Sequence, residues 1–151
     1  MTNFKDSNAA LDFAIQNEQE AADFYLQMAE RATSAGMKAA FKGFAAEEQG
    51  HKKKLLSVKT GRKLLSSERK VQDLKISDYL IDVKPHDDMN YQEILIMVMK
   101  KEKAAYKLYI DLAASTEDSQ LRDVFLGLAQ EEASHKLRFE TEYDDEIYRE
   151  N

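Results

Sequence analysis

Apolar residues recur every three or four positions along four stretches of the chain, the spacing that lines one face of an α-helix. The first stretch runs from Ser7 to Thr33 and places Leu11, Ala14, Ile15, Ala22, Tyr25 and Ala29 on one side. Ser34-Ala35-Gly36 interrupts it, and a second helix is predicted with Met37, Phe41, Phe44, Ala45 and Leu55 inward. The third spans Asn90 to Ala114, with Ile94, Leu95, Val98, Ala105, Tyr109 and Leu112 on its inner face. Ser115 and Thr116 end it and stand where they can cap a fourth helix, whose inner face carries Leu121, Val124, Phe125, Leu128 and Phe139.

Connector lengths then predict the topology. A few residues join the first helix to the second and the third to the fourth, so each pair reads as an antiparallel hairpin. The segment from Ser57 to Met89 is long enough to return along a bundle of about 35 Å. A short helix is predicted in it over Lys70–Leu80, and Pro85 precedes the third helix. The expectation is an all-α, ferritin-like four-helix bundle occupying 1–151 as a single domain: two hairpins joined by a long crossover. A domain swap, in which the crossover carries the second hairpin onto another subunit, is the alternative.

The two hairpins also repeat each other. Residues 18–52 align without a gap onto 102–136, at a constant offset of 84. Glu18 falls on Glu102, Tyr25 on Tyr109, Glu48 on Glu132 and His51 on His135. Each half thus holds one lone Glu and, on its next helix, a Glu-x-x-His pair. On a helix, residues three apart point the same way one turn apart, so each pair presents both side chains to one spot. These polar groups share the apolar stripe, and no Arg or Lys stands on that stripe beside them. Buried carboxylates without compensation cost many kcal/mol. Two divalent cations balance four carboxylates and take imidazoles as neutral ligands, and four Glu with two His is the donor set of dinuclear carboxylate centres in helical bundles. Mixed O and N donors in this ratio suit iron or manganese better than tetrahedral zinc. Glu18, Glu48 and His51 are assigned chiefly to one ion, and Glu102, Glu132 and His135 to the other, with Glu48 and Glu132 the bridging candidates.

Blander readings accompany each element. A single Glu-x-x-His on a charged helix is mostly chance; its recurrence in an internal repeat, on the apolar stripe, is not. A fold that kept the residues and lost the metal is the remaining alternative. Glu47 and Glu131 also repeat but lie about 100° away from the inner face. Tyr25 and Tyr109 are either core aromatics or phenols hydrogen-bonded to a ligand carboxylate. His86 reads as a loop residue, and the methionines as packing.

Composition narrows the classes. With 43% hydrophobic and 33% charged residues, one Pro and 5 Gly, the chain favours long helices. A net charge of −6 gives no electrostatic reason to expect nucleic acid or an anionic membrane. Cysteine is absent, which removes disulfides, thiol nucleophiles and thiolate-held metals. No apolar run approaches the ~20 residues of a membrane span, and the polar start is no signal peptide, so a cytoplasmic location is expected.

Taken together, Glu18 to Tyr25 with Glu48 and His51, and Glu102 to Tyr109 with Glu132 and His135, resemble the di-iron domain of the rubrerythrin family, within the ferritin-like superfamily. The resemblance covers nearly the whole chain. It implies two iron ions cycling between ferrous and ferric, with manganese or zinc as substitutes in purified protein, no haem, and second-shell roles for Tyr25 and Tyr109. It also implies reduction of hydrogen peroxide or dioxygen, with electrons from a separate donor such as a rubredoxin, because the cysteine-rich rubredoxin domain of rubrerythrins proper has no counterpart here. Rubrerythrins carry an additional Glu one turn after the lone Glu of the third helix; this chain has Ala105. The spacing from lone Glu to Glu-x-x-His is also about one turn shorter than in rubrerythrin, in both hairpins alike. The alternatives are a ferritin-like or bacterioferritin-like ferroxidase and a non-catalytic metal-binding bundle. A homodimer is expected.

Overall fold

The computed structural model describes residues 3–61, 74–81 and 88–150. Among them are four α-helices: α1 (Ser7–Arg31), α2 (Ala35–Gly61), α3 (Tyr91–Ser115) and α4 (Ser119–Glu150). A 3-10 turn covers Ile76–Tyr79, and the only extended pairing among the described residues is one isolated bridge between Asn3 and Lys75. The chain divides into two compact units, one built on α1 and α2 and the other on α3 and α4.

In the first unit, Asp6 starts α1 by accepting the Ala9 amide on Oδ1 at 2.8 Å. The helix stops at Arg31, two residues short of the expected Thr33, because Ala32 turns into extended backbone. Ser34 opens α2 rather than closing α1, its Oγ accepting the Met37 amide at 3.1 Å. Most inward residues are as the periodicity predicts: Leu11, Ala14, Ala22, Tyr25 and Ala29 from α1, and Met37, Phe41, Ala45 and Leu55 from α2, are buried, while Ile15 and Phe44 are half-buried. Tyr25 lies over Phe41 with centroids 6.1 Å apart and meets Phe44 edge-on at 6.0 Å. Helix α2 continues through Gly61, past the predicted start of the connector, and Lys59 ties this last part to Asp12 of α1.

The second unit is capped differently from expectation. Asn90 and Glu93 form a reciprocal capping box at the start of α3: Asn90 Oδ1 accepts the Glu93 amide at 2.8 Å, and Glu93 Oε1 accepts the Asn90 amide at 3.2 Å. Thr116 terminates α3, and Asp118, not Ser115 or Thr116, caps α4 through Oδ1 to the Leu121 amide at 3.0 Å. The reason is local. The Thr116 hydroxyl is occupied by the Asp118 amide at 3.2 Å, which leaves the following carboxylate beside the free amides of the new helix. Helix α4 stays regular to Glu150, where the acidic end reads as frayed from sequence, and Glu142 in that stretch is buried.

Of the helix predicted over Lys70–Leu80, the described part holds only the 3-10 turn. Pro85 and His86 lie outside the described residues. Tyr79 docks the turn onto α3: its hydroxyl donates to Asp111 Oδ2 at 2.7 Å, and Lys107 Nζ, 2.9 Å from the same oxygen, sits 5.3 Å above the ring. Burial, and after it the hydrogen bond to the Asp111 carboxylate, pushes the Tyr79 phenol well above its usual range.

Candidate metal centre

Each unit brings its three predicted ligands together. In the first, α1 supplies Glu18 and α2 supplies Glu48 and His51 from one face. His51 Nδ1 lies 3.4 Å from Glu18 Oε2 and 3.8 Å from Glu48 Oε2. In the second, α3 supplies Glu102 while α4 supplies Glu132 and His135, with His135 Nδ1 3.7 Å from Glu102 Oε2. Within each trio, every residue offers one donor atom within 4.8 Å of the others.

These separations are long for strong hydrogen bonds. They suit donors that share an ion: two atoms each about 2.1 Å from a six-coordinate cation sit roughly 3 Å apart when adjacent and roughly 4 Å apart when opposite. Burial sharpens the point. All six side chains belong to residues only 1–2% exposed, and no Lys or Arg is buried among the described residues to balance the carboxylates. Oxygen-rich donors with one imidazole per trio fit a hard or borderline divalent transition metal. The residues of each trio therefore fit a metal of the kind the sequence implies.

Two turns along the helices from the carboxylates, the packing is aromatic. Tyr25 and Tyr109 are both 1% exposed, on the same helix faces as Glu18 and Glu102. Tyr109 stacks on Phe125 at 6.4 Å, as Tyr25 does on Phe41. Glu47 and Glu131 are exposed, as their angular position predicts, and Ala105 is half-buried.

Sequence reasoning missed what lies just outside the trios. Over the first hairpin, Gln19 bridges the helices: its Oε1 accepts Lys52 Nζ at 2.8 Å and Gln49 Nε2 at 3.5 Å, while its Nε2 donates to Asp23 at 2.9 Å. Each bridging residue is the immediate neighbour of a trio member. At the repeat offset the counterparts are Lys103, Ala133 and Lys136. There the structure has an open groove of about 400 Å³, lined by those three with Tyr106, Leu137 and Glu140. The signal was available in the repeat, in the positions where the two copies differ.

No described helix is long and apolar enough to cross a membrane. Compared with known proteins, residues 9–143 match the family model described as rubrerythrin. No curated protein and no solved structure matches the chain.

Proposed function

The chain belongs to the rubrerythrin family, whose domain is a ferritin-like four-helix bundle, and on that premise we propose that it is a non-haem di-iron oxidoreductase reducing hydrogen peroxide or dioxygen. One observation carries the reading: a buried Glu, Glu, His trio, built twice, without a buried cation among the described residues to offset it.

The residues divide the work as follows. Glu18, Glu48 and His51 would hold one ion, and Glu102, Glu132 and His135 the other. With Nδ1 turned toward the carboxylates, each imidazole keeps its proton on Nε2 and gives a neutral ligand. Tyr25 and Tyr109 orient ligand carboxylates through their hydroxyls, and the aromatic layers exclude bulk water, which strengthens the electrostatics inside. Iron, when bound, supplies the electrons by passing between its ferrous and ferric states. The donor is a separate redox protein, such as a rubredoxin, and the working assembly is a homodimer in the cytoplasm.

Protein purified without oxygen should contain about two irons per chain. Mixing the ferrous form with peroxide, and separately with oxygen, should build a ferric absorption band in stopped flow, faster with the preferred oxidant. Fast oxidation by oxygen with ferric iron released as mineral would turn the reading into iron handling. Zinc alone in the native protein, or inertness to both oxidants, would refute it.

A further inference from the structure

At the groove between α3 and α4, the second copy of the internal repeat lacks a closure that the first copy has. In the first hairpin, Gln19, Gln49 and Lys52 span the two helices directly outside the trio. In the second, a lysine replaces one glutamine and an alanine the other, so two ammonium groups flank a side chain too short to bridge them. Like charges do not close a gap. Lys136 turns along its own helix to Glu140, and the groove stays open.

The surface that results has a distinctive make-up. At its centre are Tyr106, Leu137 and Ala133; Leu137 is 63% exposed and Tyr106 40%, unusual for large apolar side chains. At its edge are Lys103 and Lys136, with Lys100 one turn earlier on α3. Neither Lys100 nor Lys103 is engaged by another described side chain. An apolar centre with a charged rim is the anatomy of a protein interface, and small charged ones serve transient electron-transfer encounters. The chain as a whole carries −6, so a cationic patch stands out against an acidic background and steers an acidic partner to one face.

Position adds the function. Lys103 follows Glu102, and Ala133 and Lys136 follow Glu132 and His135. A partner seated here is separated from the second trio by about one helix width, ~10 Å. Reducing peroxide to two waters consumes two electrons and two protons, and a sequence without cysteine holds no dithiol to furnish them. They come from outside these 151 residues.

We propose that the outer α3–α4 groove, with Tyr106 and Leu137 at its centre and Lys100, Lys103 and Lys136 on its rim, docks a small acidic redox protein that returns electrons to the second trio. The donor gives one electron per encounter and is oxidised by one electron each time, twice per peroxide. This rests on the proposed function, and the test keeps the two apart.

The probe is a reduced acidic rubredoxin, mixed in stopped flow with the oxidised, metal-loaded protein over a range of salt. Its complex with the resting protein is titrated in parallel by amide chemical shifts. Lys103→Glu and Leu137→Ser should each slow electron delivery about tenfold at low salt and weaken the complex correspondingly. The control Lys53→Glu, the same charge reversal placed on the first hairpin at the repeat counterpart of Leu137, should stay within about twofold of wild type. Shift changes should cluster on α3 and α4. Equal effects of the control and test variants, or shifts mapping to α1 and α2, would overturn the proposal. So would a change of oligomeric state in Leu137→Ser, which would give the face to a second copy of the chain. Single-turnover oxidation of the wild-type ferrous protein needs no donor and reports on the proposed function alone.

Discussion

Replacing Glu48 by glutamine should change stability in opposite directions with and without metal. Glu18 and Glu48 bring donor oxygens within 4.8 Å of each other in a site closed to solvent. At an effective dielectric constant near 20, two unit negative charges at that distance repel by about 3–4 kcal/mol. Relaxation of the side chains in metal-free protein relieves part of this, so about 1–3 kcal/mol is left for the neutral, isosteric glutamine to recover. With an unfolding entropy of about 2.1 cal/mol/K per residue, a chain of this length converts that into a rise in Tm of roughly 3–9 °C. In metal-loaded protein the same change removes an anionic ligand, and each tenfold loss of affinity costs about 1.4 kcal/mol at saturating metal. Calorimetry on chelated and Mn²⁺-loaded samples of both proteins gives the four values needed. If Glu48→Gln lowers Tm without metal as much as with it, the carboxylate stabilises the fold by itself, and the case for a cation held by the Glu18, Glu48 and His51 trio fails.

Three further outcomes test the fold. Gly43→Ala and Gly127→Ala, where an added Cβ meets nothing within 4 Å on exposed helix faces, should each stabilise by about 0.5–1 kcal/mol in urea unfolding. Asn90→Ala removes one half of the capping box and should cost about 1 kcal/mol, seen as a shifted denaturant midpoint with an unchanged slope. Tyr79→Phe loses a hydrogen bond to a carboxylate, worth roughly 1.5–3 kcal/mol at neutral pH. Because the folded phenol holds its proton more tightly than the unfolded one, wild-type stability is complete below pH 10 and falls above it. The phenylalanine variant should show a shallower alkaline decline.

The hairpins and both trios were legible because two independent periodicities agree. The 3.6-residue spacing placed Glu18, Glu48 and His51 inward, and the offset of 84 returned the same set as Glu102, Glu132 and His135. Helix ends were less so. Ser34, Ser115, Thr116 and Asp118 are all competent caps by residue type, and the choice among them turns on which oxygen is already occupied, a matter of three-dimensional competition. The end of α4 was not legible for a similar reason: its acidic residues argue against a continued helix, yet the helix carries Glu142 into a buried position. Tyr79 gave no signal at all, since its partner Asp111 is 32 residues away on the outer side of another helix.

The doubled hairpin also has an evolutionary corollary. A polypeptide of half this length, pairing with its twin, would already own every donor type of the modern protein and could have served as the ancestor. Joining two such halves in one chain would leave each copy to drift separately, and the two copies do differ where one flank has the glutamine bridge and the other the lysine-rimmed groove. All six candidate ligands kept the symmetry, while Gln19 and Gln49 beside them parted from Lys103 and Ala133.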